Sequence, residues 1–90
     1  MSKYTVFWLV RSKENVSNEV RDRFMQEGPP QNIDYLYPIS TILGKNKAFC
    51  IAEVASADAI VKATGNWTDL CIFKFMPIME SADALKLLAE

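Results

Sequence analysis

The chain has 90 residues, half of them hydrophobic, and its ten basic and eleven acidic side chains give a formal net charge of −1. This length predicts one domain, residues 1–90, and leaves no room for a second. The charges are scattered rather than gathered into a basic stripe, so nucleic acid is not expected as a partner. No apolar run approaches the roughly 20 residues that span a bilayer, so no membrane association is expected either.

The first predicted element is a strand over residues 4–10, which is dense in β-branched and aromatic side chains. A helix is predicted over residues 15–27, where apolar side chains such as Val20 and Phe24 recur every four residues on one face. Gly28 and the two prolines after it end this helix, because glycine adopts a left-handed cap and proline cannot continue a helix.

A hairpin is predicted next, from strands over residues 33–43 and 48–54 joined by a short polar turn. Pro38 interrupts the first of these strands. Because proline cannot donate to a sheet ladder, this strand is expected at a sheet edge or with a bulge. Ser56 then caps a second helix, which ends near residues 65–66.

A fourth strand over residues 70–79 and a terminal helix that starts at Ser81 complete the chain. The order of strand, helix, strand, strand, helix and strand is typical of the ferredoxin-like α+β fold. We therefore predict a four-stranded antiparallel sheet with strand order 4-1-3-2, both main helices on one face, and an additional C-terminal helix.

The second face of this sheet has no predicted helix to cover it. Side chains alternate across a strand, so the uncharged sets that contain Cys50 and Phe75 are placed under the helices. The sets that contain Glu53 and Lys74 then lie on the open face. Trp8 is also expected on the open face, where its indole N–H would find a polar partner. The large apolar residues expected there are Phe49, Ile51, Ile72 and Met76.

An apolar open face of several hundred Å² is rarely tolerated by a soluble monomer. Covering about 600 Å² per subunit would contribute about 15 kcal/mol before the costs of association are subtracted. A terminal helix of about nine residues reaches only about 13 Å, so it would cover a corner of the sheet and not all of it. We therefore predict a homodimer in which two open faces pack together.

Several motifs resemble those of a known family of small bacterial and archaeal proteins, which is catalogued only as a domain of unknown function. The motifs are Trp67-x-Asp69-Leu70, the run through Phe73 and Phe75 to Pro77, Ser81-x-x-Ala84, Glu53 before a helix start, and Gly28-Pro29-Pro30. The resemblance is closest over residues 51–90 and loose over residues 1–30. The family is similar to the dimeric α+β barrel superfamily, in which two ferredoxin-like sheets enclose a cavity. Because that superfamily includes small monooxygenases, haem-degrading enzymes, isomerase-like proteins and ligand-sensing domains, the resemblance implies a fold and not one function.

The candidate ligand-binding residues are Trp8, Tyr35, Phe49, Glu53, Trp67 and Lys74. Glu53 and Lys74 are the only opposite charges that the topology brings near a common face. A pair that transfers a proton or holds an anion is one interpretation, and an ion pair that orients two subunits is the favoured one. The aromatic candidates would line a cavity for a planar ligand or serve as core and interface anchors. Trp67 is expected to plug the end of the barrel or to pack on the second helix.

The chain has no histidine, which removes the commonest metal ligand and the commonest general base. The haem-binding members of the superfamily use a histidine that this chain lacks. No cofactor, no metal and no catalytic residue is predicted.

Cys50 and Cys71 lie inside apolar strand patterns, which indicates buried thiols in a reducing compartment and a cytoplasmic protein.

Three functions stay open at this point. The favoured one is a homodimeric module, such as a sensor, that binds a small hydrophobic or aromatic molecule in the cavity between the sheets. The second is a cofactor-free enzyme of the small monooxygenase or isomerase kind, which would use Glu53, Lys74 and Trp8. The third is a structural association domain with a filled interface.

Overall fold

The structure, a computed structural model, describes residues 3–89, and the remaining residues of the predicted domain lie outside the described part. The elements are β1 (Tyr4–Ser12), α1 (Ser17–Glu27), β2 (Asp34–Ile42), β3 (Lys47–Val54), α2 (Ala57–Thr64), β4 (Cys71–Pro77) and α3 (Ser81–Ala89). The four strands form one antiparallel sheet in the order β2-β3-β1-β4. This is the predicted order read from the other edge, so the ferredoxin-like α+β fold with its additional C-terminal helix is confirmed.

The edge position of β2 follows from its proline, as predicted. Tyr37 faces Ile51, and three residues later Ser40 faces Phe49, only two residues further along β3. The extra residue forms a bulge that contains Pro38, and a second register shift lies between Tyr35 and Tyr37. A bulge accommodates a residue that has no N–H to donate, so the interruption lies where it costs the sheet least.

Both predicted helix signals are observed. The Ser56 hydroxyl accepts a hydrogen bond from the Ala59 N–H at 3.4 Å and caps α2. Gly28 follows α1 with φ of 73°, and its N–H donates to the Phe24 carbonyl at 2.8 Å. The start of α1 differs from the prediction by two residues. Asn15 adopts φ of 63°, a left-handed conformation in which a helix cannot begin.

The buried residues form two clusters on the helix-covered face of the sheet. The first contains Val6, Trp8, Cys50, Ala52 and Val54, with Ile60 and Ala63 of α2 packed against it. The second contains Trp67, Leu70 and Cys71, with Val16 and Val20 of the α1 region packed against it. Burial of these apolar side chains is the main favourable term in folding.

The prediction that Trp8 lies on the open face is wrong. Trp8 faces Cys50 on one side and Phe75 on the other, and both belong to the helix-covered face. The indole is only 1% exposed. Because a Trp side chain buries 150–250 Å², the apolar area of the ring outweighs the preference of one N–H for a polar partner.

Apolar side chains on the open face remain exposed in the single chain. Within residues 3–89, none of the side chains of α3 is buried. Leu85, Leu87 and Leu88 of α3 are exposed, as are Ile72 and Met76 of β4. Among the described helices, none has the length and hydropathy required to cross a membrane.

Candidate functional site

The six candidate residues divide between the two faces of the sheet. Phe49, Glu53 and Lys74 lie on the open face, in register with the open-face residues of β1. Tyr35 faces Ala52, which places it with Trp8 on the helix-covered face, and Trp67 is buried in the second cluster. The sequence analysis therefore combined residues of two separate surfaces into one candidate site.

The open face is organised around three stacked aromatic rings. Phe49 stacks on Phe7 of β1 with ring centroids 5.6 Å apart and on Tyr37 of β2 with centroids 5.5 Å apart. Both pairs are close to parallel, at 16° and 12°. Diagonal pairs of this kind stabilise neighbouring strands and give the face a smooth apolar surface.

Glu53 and Lys74 do not meet within one subunit. Glu53 faces Thr5 on one side of β1, and Lys74 faces Leu9 on the other side. Two strand spacings and four residues separate them, which amounts to about 16 Å between their backbone positions. Glu53 and Lys74 of one chain are therefore too far apart to exchange a proton directly.

A cavity of about 360 Å³ lies between α1 and the helix-covered face of the sheet. Its walls come from the inner side of α1 and from all four strands, including Val20, Phe24, Trp8, Cys50, Phe73 and Thr41. The cavity exists because α1 stands off the sheet, with none of its own residues buried. Its size falls within the range of small-molecule sites, and its walls are predominantly apolar.

Trp8, which lines this cavity, has an indole N–H without a hydrogen-bond partner among the described residues. The Nε1 atom of Trp8 is buried and has no partner among the described residues. The ring meets Phe75 edge to face, with centroids 5.1 Å apart and planes at 87°. Buried polar groups in native proteins nearly always have a partner, so this donor is an unusual feature, but its Nε1 atom has almost no accessible surface and does not open onto the cavity.

The charged residues of the cavity are all basic. Arg21 of α1 and the hairpin lysines Lys45 and Lys47 line it, and no carboxylate does so within the described part of the chain. Arg21 pairs with its neighbour Asp22 at 3.4 Å. Neither lysine forms an ion pair with a residue of the described range 3–89. By strand alternation the Lys47 side chain lies on the open face with Phe49, and Arg21 is partnered by Asp22, so the cavity itself has no concentrated positive charge among the described residues.

The two thiols and the Tyr35 hydroxyl on the helix-covered face have raised pKa values and stay neutral at pH 7. Burial raises the pKa of the Cys50 thiol to about 11 and also raises the pKa of Cys71. Burial, and secondarily the charge of Cys50, raises the pKa of Tyr35, whose hydroxyl donates to the Pro30 carbonyl at 2.9 Å. Both cysteines are free and buried. A protonated thiol is a poor nucleophile, so these residues form the wall of the cavity and do not supply reactive groups.

Trp67 packs against α1, a contact that the sequence analysis did not anticipate. Its ring lies 6.3 Å from that of Phe24, and the Arg23 guanidinium lies 5.7 Å from its centroid. Arg23 also forms two parallel hydrogen bonds to Asp69, at 2.8 and 3.0 Å, and a third to the Asn66 carbonyl at 2.6 Å. The Trp67-x-Asp69 motif thus attaches α1 above the cavity, and the Arg23 hydrogen bonds lower the pKa of Asp69.

No group of three or more metal-ligating side chains comes together within residues 3–89. Comparison with known families gives one match, to a family described as a domain of unknown function, DUF3303, over residues 2–90. This match confirms the resemblance found in the sequence motifs. No curated protein and no solved structure matches the chain.

Proposed function

We propose, from the premise that this chain belongs to the DUF3303 family of domains of unknown function, that it is a homodimeric module that binds a small hydrophobic or aromatic molecule. The observation that carries the dimer is the uncovered aromatic face. The observation that carries ligand binding is the apolar cavity under α1.

The open face supports pairing with a second copy because it is apolar at its centre and uncovered by its own chain. Four strands of about eight residues have a footprint of about 500 Å². The exposed leucines of α3 extend this surface towards the roughly 800 Å² per partner that a standard interface buries. The sheet face and α3 together therefore offer enough area for a specific dimer.

The charges on the open face also favour a second copy as the occupant. Glu53 and Lys74 lie on opposite sides of Phe7, at the two ends of a diagonal across the face. A two-fold axis that runs between two facing sheets, perpendicular to this diagonal, brings Glu53 of each copy over Lys74 of the other. Such self-complementarity is what a two-fold interface requires.

The ligand is assigned to the cavity under α1. The sequence placed it between the two sheets, where stacked Phe7, Phe49 and Tyr37 form the surface that a partner would cover. The helix-side cavity is formed within one chain and stays accessible when the open faces pair. Trp8 and Trp67, two of the sequence candidates, contribute to its walls.

Two measurements test this proposal. Sedimentation velocity is expected to give a dimer at micromolar concentration, and a monomer under those conditions would refute the dimer. For ligand binding, the apolar fluorescent anion 8-anilinonaphthalene-1-sulfonate is expected to bind, and Ala48→Leu, which extends a side chain into the cavity, is expected to weaken it. Ala55→Leu adds the same volume at an exposed position and serves as the control. Equal binding by both variants would place the dye outside the cavity.

A further inference from the structure

We infer that α1 is a hinged lid over the cavity, and that a latch formed by Arg23 sets the rates at which a ligand enters and leaves. The latch consists of Arg23 on α1 and, opposite it, the Asp69 carboxylate and the Asn66 carbonyl. This inference rests on the proposed binding function and adds the regulation of that same site. Three observations carry it: the space beneath α1, the backbone at the two ends of α1, and the exposed position of the latch.

The cavity leaves α1 with few apolar contacts to hold it on the sheet. None of its residues is buried, and Phe24 and Met25 are exposed. Val20 is only partly buried, against the second cluster. A helix of 11 residues is marginally stable without tertiary contacts, and segments with little buried apolar surface open at a lower free energy than the whole fold. We therefore expect α1 to move away from the sheet while the strands stay paired.

Both ends of α1 have backbone conformations suited to a hinge. Asn15, two residues before the helix, has φ of 63°, and Gly28, directly after it, has φ of 73°. A Cβ atom at Gly28 would meet nothing within 4 Å, so the chain is loosely packed there. The segment beyond is held by the Tyr35 hydroxyl, which donates to the Pro30 carbonyl at 2.9 Å. Movement at this end is thus concentrated at Gly28, because glycine has the widest conformational freedom.

The latch connects α1 to a fixed support and is itself easily broken. Trp67, whose ring lies 5.7 Å from the Arg23 guanidinium, is buried. Its carbonyl accepts hydrogen bonds from the N–H groups of Leu70 and Cys71 at 3.1 and 2.8 Å, so the support keeps its shape when the latch opens. The side chains of Arg23 and Asp69 are 27% and 60% exposed. Because both charges are already in contact with water, separating them costs little and the latch can open and close repeatedly.

A ligand in the cavity stabilises the closed position of α1. It would contact the sheet on one side and α1 on the other, and opening of the lid would expose its apolar surface to water. Because the ligand binds the closed state better than the open state, it shifts the population towards closure. Entry and exit both pass through the open state. The latch therefore changes both rates, and it leaves the affinity unchanged because it is intact in the closed state with or without a ligand.

The kinetic test compares Asp69→Asn, which weakens the latch, with Glu19→Gln, which removes the same charge from an exposed position of α1. Stopped-flow fluorescence with 8-anilinonaphthalene-1-sulfonate measures the association and dissociation rate constants. Asp69→Asn is expected to raise both about threefold, the usual effect of one exposed ion pair, and to keep the dissociation constant within about twofold. An affinity in that range also shows that the variant is folded. Glu19→Gln should leave both rate constants unchanged.

Hydrogen exchange followed by mass spectrometry tests the movement of α1 without a ligand. After correction for intrinsic rates, the amides of α1 are expected to exchange at least about a hundredfold faster than those of the inner strands β1 and β3. Dye at about twenty times its dissociation constant should slow the exchange of α1 about twentyfold, because only the closed state binds it.

Equal rate constants for Asp69→Asn and the unmodified protein would overturn the lid while the binding function stands. Amides of α1 that are as protected as those of β1 and β3 would also overturn it, since α1 would then open only when the whole chain unfolds. If the dye does not bind the unmodified protein, the proposed binding function is refuted, and with it the role of α1 in ligand entry.

Discussion

Shortening the exposed aliphatic side chains of β4 on the open face is expected to weaken self-association strongly. Ile72 and Met76 are 40% and 41% exposed in the single subunit. Replacing either by Ala removes three heavy atoms, about 2.4 kcal/mol of transfer free energy when the side chain is fully buried. Because about two-fifths of each side chain is exposed in the single subunit, about two-fifths of this free energy, about 1 kcal/mol, is gained only when a partner covers the face.

The symmetry of a dimer doubles this effect. Each substitution is present in both copies, so one position costs the dimer about 2 kcal/mol. Ile72 and Met76 lie four residues apart on β4, a separation of about 13 Å at which effects add. The double variant is therefore expected to raise the dimer dissociation constant by about a thousandfold, since 1.4 kcal/mol corresponds to a factor of ten.

Sedimentation equilibrium over a range of protein concentrations measures this constant, and far-ultraviolet circular dichroism verifies that the variants are folded. Val61→Ala is the matched control, because Val61 is 68% exposed on α2, away from the open face. Its dissociation constant should equal that of the unmodified protein. A folded Ile72→Ala, Met76→Ala variant that dimerises within about threefold of the unmodified chain would show that the open face is not the interface.

Three further predictions concern other parts of the molecule. Glu53→Lys or Lys74→Glu alone is expected to weaken self-association by placing like charges together, and combining them should restore it; failure of the combination would contradict the proposed two-fold arrangement. Asp69→Asn is expected to lower stability at pH 7 by breaking the Arg23 contacts. Because Arg23 lowers the Asp69 pKa below its usual value of 3.8, that contribution is present above about pH 4 and is lost as the pH falls. Chemical denaturation should therefore give similar stabilities for the variant and the unmodified protein at pH 2, and an unchanged difference would contradict it. Cys50, in a Cys71→Ser variant, is expected to react with iodoacetamide at pH 8 at least about tenfold more slowly than a free cysteine peptide.

The tenfold figure for Cys50 combines two opposing effects of its raised pKa. At pH 8 a pKa of about 11, compared with 9.0 for a free thiol, lowers the thiolate fraction about a hundredfold. The more basic thiolate is intrinsically about eightfold more nucleophilic, which recovers part of the loss. Burial slows the reaction further. Labelling at the rate of the free peptide would show that the cavity wall opens readily.

The topology was predictable because its signals are local. Gly28, Pro38 and Ser56 each act through backbone conformation or a hydrogen bond to a residue at most four positions away, so their effects can be recognised in the sequence. The face of Trp8 was not predictable in this way. In β1 both alternating sets are apolar, with Val6 and Trp8 in one and Phe7 in the other. Only the pairing with Cys50, which is distant in sequence, decides between them.

The candidate site was less predictable because its features depend on the distance between layers. Arg23 and Asp69 are 46 residues apart, and charged side chains carry no periodicity that would connect them. The cavity depends on how far α1 stands from the sheet, and the helix pattern that includes Val20 indicates only which side faces inwards. A buried Trp with an unused donor follows from three-dimensional packing and not from residue spacing.

The irregular course of β2 bears on how far association can proceed. An unpaired, regular strand at the margin of a sheet is a template on which further chains can polymerise. Pro38 and the two register shifts interrupt that template, since a new strand would meet a missing donor and a kinked backbone. Growth by strand addition at this margin is thereby discouraged. In the proposed dimer, contact through the flat surface would involve two copies only, so the β2 edge adds no route to larger assemblies.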